Sequence, residues 1–162
     1  MRCKVLYSIA FCASIAGCGA FAPRPAEPEP APPPRVERSE ALLQALLALG
    51  VDYRYGGNSP VTGFDCSGLV AHVYREAWGI RLPHSTQAQS QAGVAVSLAE
   101  LQAGDLVFYD TQKRPYSHVG IYMGDGKFVH APKSGARVRV ESLKNSYWTQ
   151  RYNGARRIDP IN

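Results

Sequence analysis

One cysteine and two histidines in this sequence are of the types needed for nucleophilic catalysis. Cys66 begins an apolar helical pattern, and His118 and His130 follow on two later strand patterns. The nucleophilic form of cysteine is the thiolate, which needs a base to accept its proton and a third group to orient that base. These residue types fit acyl transfer, with Cys66 as the nucleophile.

The same residues also have structural and metal-binding interpretations. A cysteine on the apolar side of a helix often packs in a core, and spacing alone does not decide whether the two strand histidines are catalytic or structural. One cysteine and two histidines are zinc ligands in some enzymes, but the absence of short paired spacing argues against zinc. His72 and His84 are interpreted as structural or peripheral residues.

A helix predicted from Cys66 to Gly79 places the cysteine at a helix N-terminus. Free backbone N–H groups and the macrodipole favour negative charge there, so we expect a lowered pKa for Cys66. The same N–H groups can stabilise an oxyanion. Helical spacing is shown by Cys66, Leu69, Val70, Val73, Tyr74 and Ala77.

The remaining patterns predict an α+β fold in which N-terminal helices pack on an antiparallel β-sheet. Ser39 is the expected N-cap of a first helix that faces the core through leucines and stops at Gly50. Those leucines are Leu42, Leu43, Leu46, Leu47 and Leu49. Strands are predicted over 105–109, 118–123, 127–131 and 137–140.

The loop between the two histidine strands decides whether His118 and His130 can meet. A two-residue loop at 125–126 would leave the histidines on opposite faces of the sheet, because side chains alternate along a strand. A three-residue loop at 124–126 sets Gly120 opposite His130 and puts both imidazoles on one face as diagonal neighbours. We predict this loop, or a bulge that gives the same parity.

The N-terminus predicts export and lipidation. A basic start precedes a short apolar run over 5–16, as in a secretory signal, and residues 15–18 resemble the processing box of bacterial lipoproteins. We therefore expect a signal peptide at 1–17, a lipidated Cys18, and sorting to the outer membrane because Gly19 follows. Seven of the twelve prolines lie in the expected tether at 18–38, which gives a reach on the order of 60 Å. The folded domain is expected over 39–162.

The numbers of cysteines and of charged residues bear on the role of Cys66 and on which partners the protein binds. Cys3 and Cys12 leave with the signal and Cys18 takes the lipid, so Cys66 remains alone in an oxidising compartment. Removing two of the 18 basic residues with the signal leaves 16 against 13 acidic residues, and no cluster of basic and aromatic residues occurs. Nucleic-acid binding is therefore not supported, and we expect a monomer that needs no cofactor.

Four ordered motifs resemble those of the NlpC-type cell-wall cysteine peptidases, over roughly residues 43–158. This likeness implies a papain-like domain with Cys66 as nucleophile, His118 as base and then acid, and His130 orienting His118. Tyr53 matches a family tyrosine near the oxyanion site, although packing beside a glycine turn is its alternative role. The motifs lie at 64–70, 104–108, 117–124 and 128–131, with 53–57 upstream.

Within that family the sequence is most similar to outer-membrane murein endopeptidase lipoproteins, through residues 82–86, 148–157 and the processing box. This similarity implies peptidoglycan stem peptides as substrate and cleavage between D-alanine and diaminopimelate. Other members cut between D-glutamate and diaminopimelate. A non-catalytic wall-binding lipoprotein, and an acyltransferase or amidase on the same scaffold, remain alternatives.

Overall fold

The computed structural model describes residues 35–160, with side chains from residue 38 onward. The expected signal peptide, the lipidation site at Cys18 and most of the proline-rich tether lie outside the described residues. No helix within 35–160 has the length and apolar character needed to cross a bilayer.

Helices and strands follow the predicted order in the chain. The helices are α1 (Arg35–Leu47), α2 (Cys66–Trp78), α3 (Thr86–Gln89), a 3-10 turn (Leu98–Glu100) and α4 (Ser146–Thr149). The strands are β1 (Asn58–Ser59), β2 (Gly63–Phe64), β3 (Val94–Val96), β4 (Leu106–Tyr109), β5 (His118–Gly124), β6 (Lys127–His130), β7 (Arg139–Ser142) and β8 (Tyr152–Arg157).

Six of the strands form one antiparallel sheet in the order β3-β8-β4-β5-β6-β7, which confirms the predicted α+β class. The predicted strand at 137–140 lies two residues too early, because β7 runs over 139–142. Strands β3 and β8 were not predicted. The segment that forms β8 is polar and contains a glycine, and it becomes a strand because it pairs with both β3 and β4.

One face of the sheet packs on α1 and α2. The core between them contains Leu69, Val70 and Val73 of α2 against Val119 and Ile121 of β5, all fully buried. The opposite face is covered by a second cluster around Trp148. The strand that carries His118 therefore lies between two packed layers.

Two predictions about helix α1 are wrong, namely its N-cap and the residues that it buries. It begins at Arg35, so Ser39 lies within the helix and the expected N-cap at Ser39 is wrong. Its buried apolar residues are Ala41 and Ala45, joined by Ala48 just after the helix, because small side chains allow α1 to approach α2 closely. Four of the five leucines expected in the core are exposed: Leu43, Leu46, Leu47 and Leu49.

Candidate active site

Cys66 is the first residue of α2, as predicted. The preceding residue, Asp65, is the N-cap, and its Oδ1 accepts the backbone N–H of Gly68 at 2.7 Å. At the other end Gly79 adopts φ 68°, the left-handed conformation that favours glycine in a C-cap. Both caps define the helix closely, so the thiol is held at the N-terminus of α2.

The predicted lowering of the Cys66 pKa is wrong, because the surroundings of the thiol raise its pKa instead. Burial and, to a smaller extent, the negative charge of Asp65 raise the pKa of the Cys66 thiol to about 11. Backbone N–H groups of Val119, Ser67 and Cys66 itself lower the pKa, but they do not outweigh burial. The N–H groups predicted at the helix N-terminus are thus present, while the resting thiol keeps its proton.

The hydrogen bond between the backbone N–H of Val119 and the Cys66 thiol also locates the thiol relative to the histidines. Val119 follows His118 on β5, so the Cys66 thiol lies at the beginning of that strand. Helix α2 packs directly against β5. The cysteine and the first strand histidine are therefore brought to the same end of the sheet.

The two strand histidines form a direct pair. The Nε2 atom of His118 lies 2.7 Å from the Nδ1 atom of His130, and the ring planes are nearly perpendicular. In the β5–β6 ladder, Tyr122 pairs with Phe128 and the next pair joins Gly124 to Lys127. The loop thus has two residues, and a bulge at position 123 restores the parity that places both imidazoles on one face. The bulge form of our register prediction is confirmed, whereas the three-residue loop did not form.

Burial keeps both imidazoles neutral. It lowers the pKa of His118 to about 4. It also lowers the pKa of His130 to about 2, with smaller contributions from His118, when that residue is protonated, and from the charge of Arg139. The Trp148 ring stacks on His118 at 5.6 Å and meets His130 edge-on at 4.9 Å, which excludes water from the pair. A neutral His118 has a lone pair with which to accept the thiol proton.

Asp65 joins the N-terminus of α2 to the loop after it. Besides capping the helix, its carboxylate accepts hydrogen bonds from the Gly56 N–H at 2.9 Å and the Ser67 hydroxyl at 3.0 Å. The Nε2 atom of His84 lies 2.8 Å from Asp65 Oδ1. We had interpreted His84 as structural or peripheral, but it lines the cavity that contains Cys66. A histidine in a loop gives no sequence signal of such a contact.

Tyr53 is the tyrosine that the family resemblance predicts near the oxyanion site. It is half-buried and lines the same cavity as Cys66 and His84. Burial raises the pKa of Tyr53, and so do the negative charge that Cys66 carries when it is ionised and the negative charge of Asp65. Its hydroxyl is therefore a protonated donor close to the nucleophile.

A second cavity lies beside His118. It has a volume of about 460 Å³ and is lined by His118, Trp148, Lys133 and Arg139, among others. Gln112 lines both cavities, so the two adjoin. Cys66 lines only the first cavity and His118 only the second.

A metal site is not evident in the part of the chain that the structure describes. No group of three or more His, Cys, Asp or Glu side chains in 38–160 converges in a way that could hold a metal ion. His72, interpreted as structural or peripheral, packs its ring 5.0 Å from that of Phe64 and contacts Arg75. The contacts of the His72 side chain with described residues are to side chains of α2 itself and of strand β2.

Comparison with known proteins identifies relatives over the described domain. The NlpC/P60 family matches residues 50–157. The murein DD-endopeptidase MepH of Escherichia coli (strain K12) is 42% identical over 121 residues, which cover 73% of this chain and 45% of that protein. The gamma-DL-glutamyl hydrolase of Bacillus subtilis (strain 168) is 39% identical over 137 residues, which cover 84% of this chain and 32% of that protein. This chain thus spans less than half the length of either relative.

The fold is also found among solved structures. An NlpC/P60 family protein from Bacillus cereus superposes with a TM-score of 0.69 at 35% identity, over 74% of this chain and 39% of that chain. The family match covers the helix that carries Cys66 and the strands that carry both histidines. The chain belongs to the NlpC/P60 family, a family of cysteine peptidases.

Proposed function

We propose that this protein is a peptidoglycan endopeptidase that hydrolyses amide bonds of stem peptides, with Cys66 as nucleophile, His118 as base and then acid, and His130 positioning His118. The observation that carries the proposal is the 2.7 Å His118–His130 pair beside a helix-N-terminal cysteine. Membership of a cysteine peptidase family and a relative named as a murein endopeptidase support it.

The reaction begins from a neutral thiol and a neutral imidazole. Since Nε2 of His118 faces His130, the Nδ1 atom of His118 accepts the thiol proton as the sulfur attacks the substrate carbonyl. His130 is neutral and accepts the Nε2 hydrogen at its own Nδ1, which stabilises the imidazolium that forms. The raised pKa of Cys66 makes this base necessary.

The remaining steps use donors already at the site. The backbone N–H of Cys66 and the hydroxyl of Tyr53 stabilise the oxyanion of the tetrahedral intermediate. When the carbon–nitrogen bond breaks, His118 returns its proton to the leaving amine and a thioester remains on Cys66. Water, deprotonated by His118, then attacks the thioester and releases the new carboxylic acid and the thiol.

The scissile bond we propose first is the cross-link between D-alanine and diaminopimelate. The 42% identity to a murein DD-endopeptidase favours it. The second candidate is the D-glutamate–diaminopimelate bond, which is favoured by the relative named as a gamma-DL-glutamyl hydrolase. A non-catalytic wall-binding role is less consistent with the retained cysteine and histidine pair.

We also propose that the domain is tethered to the outer membrane through acylated Cys18. The support for this proposal is the sequence alone, namely the signal-like N-terminus, the processing box and the proline-rich segment that follows it. An anchored domain on a long tether would reach the cell wall from the membrane.

Incubation of the full chain with purified muropeptides, followed by identification of the products by mass, tests the proposed activity. Cross-linked dimers should be converted to monomers by addition of one water. Release of stems cut after D-glutamate would favour the second candidate. Release of intact stem peptide from the sugar would indicate an amidase, and absence of any product would contradict the proposal.

A further inference from the structure

The cavity beside His118 carries positive charge that the proposed mechanism does not use. Its lining includes Lys133 and Arg139, opposed by a single carboxylate, Glu141. The Nε atom of Arg139 donates to Glu141 at 2.8 Å, so these two charges largely offset each other. Lys133 forms no ion pair with any residue that the structure describes, and its ammonium leaves the cavity with a net positive charge.

The positions of Cys66 and His118 determine which part of a substrate enters this cavity. The sulfur bonds to the carbonyl carbon, so the acyl part lies on the side lined by Cys66 and Tyr53. His118 must protonate the leaving nitrogen, and it lines the cavity that contains Lys133. The residue that bears the leaving amine is therefore expected in the cavity that Lys133 also lines.

The two candidate bonds differ in the charge beside that amine. In a D-alanine–diaminopimelate cross-link, the nitrogen leaves from the D-centre of diaminopimelate, and the same carbon bears a free carboxylate. In a D-glutamate–diaminopimelate bond within a stem that continues to D-alanine, the corresponding carboxyl is already an amide. A cation beside the leaving group thus distinguishes the two classes of substrate.

We propose that Lys133, assisted by Arg139, binds a free carboxylate on the carbon that bears the leaving amine and so selects cross-links over bonds within a stem. This inference rests on the proposed endopeptidase function and assigns a specificity role to the cavity on the His118 side. Thr111, Gln112 and Asn145 line the same cavity and supply neutral polar groups around the carboxylate. Because Lys133 is exposed, we expect a modest preference of about three- to tenfold.

Two synthetic cross-linked dimers test the inference, identical except that one has a free carboxylate and the other a carboxamide at the D-centre. The full chain should cleave the free-carboxylate dimer with a kcat/KM about three- to tenfold higher. Lys133→Gln should bring that ratio close to one, and Lys133→Arg should retain it. Lys127→Gln is the matched control, because Lys127 is exposed on β6 outside the cavity, and its ratio should equal that of the wild type. A wild-type ratio of one, or an unchanged ratio in Lys133→Gln, would overturn the inference.

Binding to an inactive variant separates this inference from the proposed function. If the wild type cleaves neither dimer, the proposed function fails, whereas calorimetric titration of Cys66→Ser with the same dimers still reports on the cavity. The free-carboxylate dimer should bind about three- to tenfold more tightly, and adding Lys133→Gln should remove the difference. Equal affinities of Cys66→Ser for both dimers would show that the cavity does not recognise the carboxylate.

Discussion

The Nε2 atom of His118 lies 2.7 Å from the Nδ1 atom of His130. In the proposed mechanism His118 donates the hydrogen of this bond, which leaves its own Nδ1 free to act as the base. The pair is almost completely shielded from solvent, with 4% exposure for His118 and none for His130. The proton of His130 then lies on its own Nε2, which is buried without a hydrogen-bond partner among the described residues. One tautomer of His130 therefore supports catalysis, and the position of its proton matters for the rate.

Replacing His130 tests its role as a positioning residue. His130→Leu removes the acceptor for His118 Nε2, so kcat should fall by about 10²- to 10⁴-fold with little change in KM. His130→Asn offers a side-chain oxygen to the same N–H and should recover part of that loss. Steady-state kinetics and thermal unfolding of both variants check this expectation. If His130→Leu folded normally and turned over at the wild-type rate, His130 would have no role in orienting the base.

The buried histidines should make the domain less stable in acid. Their pKa values are lowered in the folded protein, to about 4 for His118 and about 2 for His130. The unfolded chain therefore binds more protons below about pH 6.5, and the free energy of unfolding should fall as pH decreases from there towards 4. Each histidine contributes up to about 1.4 kcal/mol per pH unit in this window.

Urea unfolding at a series of pH values measures this dependence. The wild type should lose stability more steeply between pH 6 and 5 than His130→Leu, because the variant has one fewer buried neutral histidine. Identical slopes for the two proteins would show that His130 is not held neutral by burial.

A buried ion pair should contribute strongly to stability away from the site. Asp105 is fully buried and accepts from Arg157 through both oxygens, from Nε at 3.0 Å and Nη2 at 2.8 Å, with Arg38 also in contact. Asp105→Asn leaves these cations poorly compensated and should lower the free energy of unfolding by about 3 kcal/mol. The control is Arg137→Gln, which removes an exposed pair with Asp52 and should change it by less than about 1 kcal/mol. Equal effects of both substitutions, measured by urea unfolding, would contradict this account.

The proposed lipid anchor makes a prediction about location. Cys18→Ala should move the protein from the membrane fraction to the soluble periplasmic fraction, because acyl chains contribute about 0.8 kcal/mol per buried CH₂. Cys66→Ala is the matched control and should remain with the membrane. Membrane retention of Cys18→Ala would mean that residues 15–18 are not a lipoprotein processing site.

Local patterns in the sequence were sufficient to predict the helix that carries Cys66, and the assumed histidine pairing predicted the parity of the two histidine strands. Helical spacing and the end at Gly79 define α2 without knowledge of the rest of the chain, and Cys66 begins it as predicted. The assumed pairing of His118 with His130 required both side chains to share a face of the sheet, and the bulge at position 123 meets that requirement. These features depend on residues close together in the chain.

Features that depend on distant contacts were not predictable from the sequence. The apolar side of α1 was expected to bury leucines, but close approach to α2 selects Ala41 and Ala45 instead. His84 contacts Asp65 only because the loop after α2 folds back over the N-terminus of that helix. The pKa of Cys66 depends on how deeply the sheet and α2 bury the thiol, which no local pattern reveals.

The most direct test of the account compares cleavage of a defined D-alanine–diaminopimelate dimer by the wild type and by Cys66→Ser, with products quantified by mass spectrometry. A serine hydroxyl is far less acidic than a thiol and gives up its proton less readily to His118, so turnover should fall by at least about 10³-fold. Thermal unfolding should show that the Cys66→Ser variant remains folded. Turnover by folded Cys66→Ser at a rate near that of the wild type would contradict the assignment of Cys66 as the nucleophile.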